Sequence, residues 1–135
     1  MRKTGIRIAA GLLVLLLFAG LAACKGKQGG ADSLAGKTFV WEKEGFGGDF
    51  TITLKKDGTF EYYEGYLSSF IGTGTWKVRN SILVLLESED TGYGRIFRFS
   101  VGEDELRFLG GGSDDFGYVQ VKDGDRFLLS EGNAD

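Results

Sequence analysis

One thiol, Cys24, and no histidine occur in the 135 residues of this chain. A thiolate is the most readily alkylated side-chain nucleophile, so Cys24 is a candidate for covalent modification. The missing histidine removes the commonest general base and metal ligand. Ser-His-Asp and Cys-His catalysis, and Cys/His zinc sites, are excluded with it. Paired carboxylates stay open in principle. The acidic clusters are Glu87-Ser88-Glu89-Asp90, Glu103-Asp104-Glu105 and Asp114-Asp115. Each falls at a strand end or loop and reads as a solvated turn. Asp123-Gly124-Asp125 lacks the remaining ligands of a twelve-residue calcium loop. Gly110-Gly111-Gly112 does not stand between a strand and a helix, so it is no phosphate cradle. The expectation is a protein without catalytic residues, metal or cofactor, and not an enzyme.

The aromatic residues carry the remaining functional colour. Phe60, Tyr62, Tyr63, Tyr66 and Phe70 crowd one hairpin region. Tyr62, Trp76, Phe97, Phe99 and Phe108 are a candidate pocket for an apolar or ring-bearing ligand. The competing reading, which we favour, is that they fill a small barrel whose interior holds side chains and little else.

The elements that must position these residues have a period of two. Phe50-Thr51-Ile52-Thr53-Leu54 alternates apolar with threonine, and Phe97, Phe99 and Val101 share one face. Such alternation marks half-buried strands. Strands are expected near 37–44, 50–55, 59–66, 72–79, 82–87, 93–101, 105–109, 118–122 and 126–129. A short helical turn is expected near 67–70. The stretch 82–86 is apolar on both faces, which suits a covered central strand or one whose outer face meets a partner. Asp57-Gly58 and Asp123-Gly124 are hairpin dipeptides. With 23 Gly and no Pro, glycine makes the turns. The fold class is therefore all-β: a small up-and-down antiparallel barrel of eight or nine short strands, whose closure removes exposed edges.

Ahead of the strands, Arg2, Lys3 and Arg7 precede an apolar run centred on 12–18 and then the small residues Ala22 and Ala23. This is the order of a secretory signal peptide. The run is shorter than the ~20 residues that span a bilayer. Residues 1–23 are read as the signal peptide and 24–33 as a flexible tether. Residues 34–130 are read as the barrel domain and 131–135 as a tail. Removing the leader takes three of the 16 Lys and Arg and none of the 19 Asp and Glu, leaving a formal charge of −6. An acidic domain is a poor partner for nucleic acid.

Leu21-Ala22-Ala23-Cys24 resembles the lipobox of bacterial lipoproteins. The resemblance implies cleavage between Ala23 and Cys24, a diacylglycerol on the cysteine sulfur and further acylation, for example by palmitate, of its new amino group. Two or three acyl chains make a stable anchor. The expected place is then the cell membrane or outer membrane, facing away from the cytoplasm. Leu34-Ala35-Gly36, Asp57-Gly58-Thr59-Phe60, Gly74-Thr75-Trp76 and Leu106-Arg107-Phe108 resemble motifs of small lipocalin-like lipoprotein domains. These motifs describe hairpins and core positions and imply fold alone. The functional expectation is an envelope lipoprotein acting as an interaction or assembly module through its barrel surface. A carrier of a small apolar ligand is the alternative.

Overall fold

The computed structural model, which describes residues 30–43, 49–65 and 68–131, turns the alternation into a closed barrel. A helical turn, α1 (Ala31–Leu34), leads into β1 (Lys37–Trp41), β2 (Thr51–Leu54), β3 (Thr59–Tyr63) and β4 (Ile71–Arg79). The chain continues as β5 (Ile82–Glu87), β6 (Ile96–Val101), β7 (Glu105–Phe108) and β8 (Arg126–Leu129). Each strand pairs antiparallel with the next, and β8 pairs with β1 to close the ring. The expected up-and-down barrel is the observed one, with eight strands.

Alternation decides which side chains go in. Ile52 and Leu54 of β2, Phe60 and Tyr62 of β3, and Leu83 and Leu85 of β5 are fully buried. Opposite them stand Phe97, Phe99, Leu106 and Phe127. The rings meet mostly edge to face: Phe50 with Phe127 at 5.1 Å and Phe99 with Phe108 at 5.5 Å between centroids. An eight-stranded barrel has room for little more than such side chains.

The two ends of the barrel differ. Tight turns join β2 to β3, β4 to β5 and β6 to β7. Positive φ is taken there by Gly58, by Asn80 and Ser81, and by Asp104. Asp57 fixes the first of these turns by accepting from both the backbone N–H and the hydroxyl of Thr59. α1 covers this end, with Leu34 packed on the core. Longer connections gather at the opposite end, among them 88–95 and 109–125.

Two sequence expectations are corrected. Residues 118–122 are not a strand. Val119 and Val121 do turn toward the core, as alternation predicts. However, β8 already pairs with both β7 and β1, so no edge is left for a ninth strand. The helical turn near 67–70 is also absent at 68–70, where Ser68 caps its own loop by accepting from Phe70 N–H; Leu67 lies outside the described residues. In β5, Leu83 and Leu85 are wholly interior and Ile82, Val84 and Leu86 form the outer side.

Candidate functional site

At the loop end, β3, β5 and the approach to β6 each carry the inward alternation one step past the apolar core. Phe60 and Tyr62 are followed by Glu64, Leu83 and Leu85 by Glu87, and Phe97 and Phe99 are preceded by Arg95. Three charges are thereby aimed at one barrel mouth. Glu87 has a fully buried side chain and accepts from the Tyr62 hydroxyl at 2.5 Å. Arg95 binds it in a fork, Nε to Oε1 at 3.1 Å and Nη2 to Oε2 at 3.0 Å. Tyr93 N–H adds a bond of 2.8 Å to Oε1. Arg95 Nη2 also donates to the Tyr62 hydroxyl at 2.6 Å.

The electrostatics follow from these contacts. Burial pushes the Glu87 carboxyl up, but the donors from Arg95, Tyr62 and the Tyr93 backbone outweigh it and hold it below the ordinary value. Burial and the adjoining carboxylate push the Tyr62 phenol far up, so it stays a donor. Arg95 loses hydration yet is raised by its bond to Glu87. Its guanidinium also lies 4.9 Å from the Tyr93 ring centre, within cation–π range.

Glu64 is only 2% exposed. Its Oε1 accepts from the backbone N–H groups of Tyr118 and Val119, both at 2.9 Å. Its Oε2 is buried with no hydrogen-bond partner. These bonds pin the β7–β8 connection across the mouth, where it drops Phe116 into the barrel. The Phe116 ring lies flat on Phe97, 4.0 Å between centroids and 4° between planes. Its edges meet Phe50 at 4.9 Å and Tyr62 at 5.3 Å. Arg95 Nη1 donates to Asp115 O at 3.3 Å beside it. Tyr62, Glu87 and Arg95 satisfy one another, so what the mouth offers an incoming group is apolar ring surface and the free oxygen of Glu64.

The structure brings the five candidate pocket residues into one core. Tyr62 and Phe97 touch at 5.7 Å, and Phe99 and Phe108 at 5.5 Å. Trp76 sits nearer the turn end, donating from Nε1 to Lys55 O at 3.0 Å. Two cavities flank α1 at that end. One, of about 440 Å³, is bounded by Leu34, Phe39, Val101 and Leu129; the other, of about 330 Å³, touches Trp76. Neither touches Tyr62, Phe97, Phe99 or Phe108. Leu21, Ala22, Ala23 and Cys24 lie outside the described residues, as does Tyr66.

Glu87 is a correction, because its acidic cluster reads as a solvated turn while its side chain is wholly buried. Glu64, Arg95 and Phe116 are functional candidates that the motifs did not mark. For the first two the signal was the alternation itself, extended by one step. The other turn acids serve the loops: Asp123 accepts from Gly110 N–H, and Asp125 takes Lys43 and the backbone of Lys122. Among the described residues, no group of three or more His, Cys, Asp or Glu is placed to hold a metal ion. Comparison with protein-family models, with curated proteins and with solved structures finds no match to this chain.

Proposed function

We propose that this chain is a lipid-anchored protein of the bacterial envelope that acts as an interaction module through the outside of its barrel. Cleavage behind Ala23 and acylation of Cys24 hold it at the membrane, and a second envelope protein is its partner. One observation carries the surface reading. Leu128, Val40, Thr51, Tyr63 and Ile71 are register partners across β8, β1, β2, β3 and β4. They form an unbroken uncharged row on the outer face, with Ile71 53% and Leu128 39% exposed. The row beside it, Thr38, Thr53, Glu61 and Thr73, carries a single charge, which Lys55 neutralises. Elsewhere the outer face mixes Lys77, Arg79, Arg98, Arg107 and Arg126 with the apolar Ile82, Val84 and Leu86 of β5. A half-exposed uncharged strip of this kind, with an exposed apolar residue at each end, suits an interaction site. The rings packed around Tyr62 and Phe97 leave a small ligand little room at the loop end, and the cavities of about 440 and 330 Å³ lie apart from them beside α1.

Two experiments in native membranes test this. Cys24→Ser should abolish labelling by a fatty-acid analogue; equal label on mutant and parent refutes the anchor. A photoreactive residue at Tyr63 or Leu128 should give one adduct of discrete mass, which position Lys77 does not give and Ile71→Asp removes. Adducts that ignore position refute the surface.

A further inference from the structure

We propose that the loop-side mouth of the barrel is a recognition site for an aromatic residue on an extended peptide segment of another protein. The chain's own segment 115–119 occupies that site in cis. This inference stands independently of the outer row.

The segment is bound as a ligand would be. Its ring is stacked on Phe97 and edged by Phe50 and Tyr62. Its named polar contacts with the mouth join segment backbone to barrel side chain. Asp115 O accepts from Arg95, and two successive N–H groups donate to Glu64 Oε1. Such contacts select one aromatic side chain and otherwise require only free backbone. Any segment with a ring at that place reproduces them.

The connection is also longer than its task. β7 and β8 are register partners that a tight turn could join, yet residues 109–125 lie between them. Connections beyond ~12–15 residues without structure of their own are uncommon in compact domains and, when ordered, usually functional; here only Gly110–Gly112 form a short 3-10 turn and the rest is irregular.

Glu64 Oε2 gives the third argument. The cis segment satisfies one oxygen of this carboxylate and leaves the other buried and unpartnered. A buried acceptor without a donor is costly. The residue next to it is Gly117, whose added Cβ would lie 3.7 Å from Oε2 in ordinary contact. A hydroxyl on that Cβ reaches the free oxygen. The segment the mouth fits best is therefore an aromatic residue followed by serine or threonine, and such a segment can displace the cis one.

The test uses the full chain in detergent micelles and fluorescently labelled peptides of residues 113–121. The Phe116→Ala protein, its slot vacated, should bind the parent peptide saturably at one to one. The Gly117→Ser peptide should bind about tenfold tighter, the effect of one added hydrogen bond to a charged group. The Phe116→Ala peptide should bind at least about tenfold weaker. If the Phe116→Ala protein does not fold, Phe116→Leu, which keeps apolar filling, takes its place. In the parent protein the cis segment competes at an effective concentration of about millimolar. Saturating Gly117→Ser peptide should there speed hydrogen exchange at the Tyr118 and Val119 amides and leave the strand amides unchanged. No saturable binding to a folded vacated mouth, binding indifferent to the aromatic residue, or unchanged exchange in the parent would each overturn the proposal.

Discussion

Replacing Glu87 by glutamine keeps the shape of the side chain and removes its charge. The carboxylate accepts from Tyr62, Tyr93 N–H and two nitrogens of Arg95. A carboxamide cannot serve them all. With its nitrogen in the Oε2 position it faces Arg95 Nη2, and in the Oε1 position it faces Tyr93 N–H and Arg95 Nε. At least one charge-assisted bond goes, worth about 1.5–3 kcal/mol. The guanidinium also loses its counter-charge, and breaking a buried pair in this way costs about 3–5 kcal/mol in total. The Arg95 side chain is 16% exposed, so water takes up part of the loss. The expected cost is about 3 kcal/mol, the low end of that range. In a domain of this size that lowers Tm by about 12–24 °C. Thermal and urea unfolding followed by circular dichroism reads it. The acid limb gives an independent check. Glu87 stays ionised in the folded protein below its ordinary value of 4.5, where the unfolded chain takes up a proton. Its contribution is therefore full above about pH 4.5 and is lost as pH falls through the lower folded value. Glutamine should flatten that limb. Removing the network together, with Tyr62→Phe, Glu87→Leu and Arg95→Leu, should cost less than glutamine alone, because neither partner of the pair is left without the other, although Glu64 loses the neighbouring guanidinium. A loss below about 1 kcal/mol, the range of ordinary surface changes, with the acid limb unchanged, would refute the reasoning.

Trp76→Ala removes a buried ring and its bond to Lys55 O, and should cost about 3–5 kcal/mol in urea unfolding; a loss under about 1 kcal/mol would contradict its interior placement. Gly72→Ala would drive a methyl into the Tyr62 ring, which Glu87 and Arg95 hold in place. It should lower stability by at least the ~1–3 kcal/mol of an overpacked core, and an unchanged Tm would show that the ring can move. Gly117→Ala meets only atoms 3.5 and 3.7 Å away and should stabilise by about 0.4–1 kcal/mol through the unfolded chain. Destabilisation instead would mean that the loop backbone needs glycine there.

Ile52 and Leu54, or Phe97 and Phe99, show how far a period of two reads a fold. Once one inward residue is known, every second one follows, and tight turns at Asp57-Gly58 and Asn80-Ser81 fix the register. Glu87 shows where reading by residue type failed. It belongs to an acidic run that composition assigns to solvent, while the alternation through Leu83 and Leu85 points it inward. The pattern was the better guide, because neighbours that neutralise a charge are themselves inward positions on other strands. Phe116 was beyond either signal. It lies in irregular chain with no period, and its place depends on Glu64, far away in sequence, accepting from two amides through Oε1. Val119 and Val121 misled for a related reason: their alternation is real, but a closed ring has no edge to pair with it.

Seven of the eight strand pairings join sequence neighbours; the β1–β8 seam alone joins strands from opposite ends of the domain. Its register partners are Phe39 with Leu129, Val40 with Leu128 and Trp41 with Phe127. A chain emerging from its amino end can pair β1 through β7 in succession, and waits for residues 126–129 before the ring can shut. Until then β1 and β7 are open edges, and β1 offers Phe39, Val40 and Trp41 with a lysine only at its start. Open apolar edges pair readily with other chains. The last strand is thus what covers both edges at once, and a chain cut just before Arg126 should present a two-edged sheet.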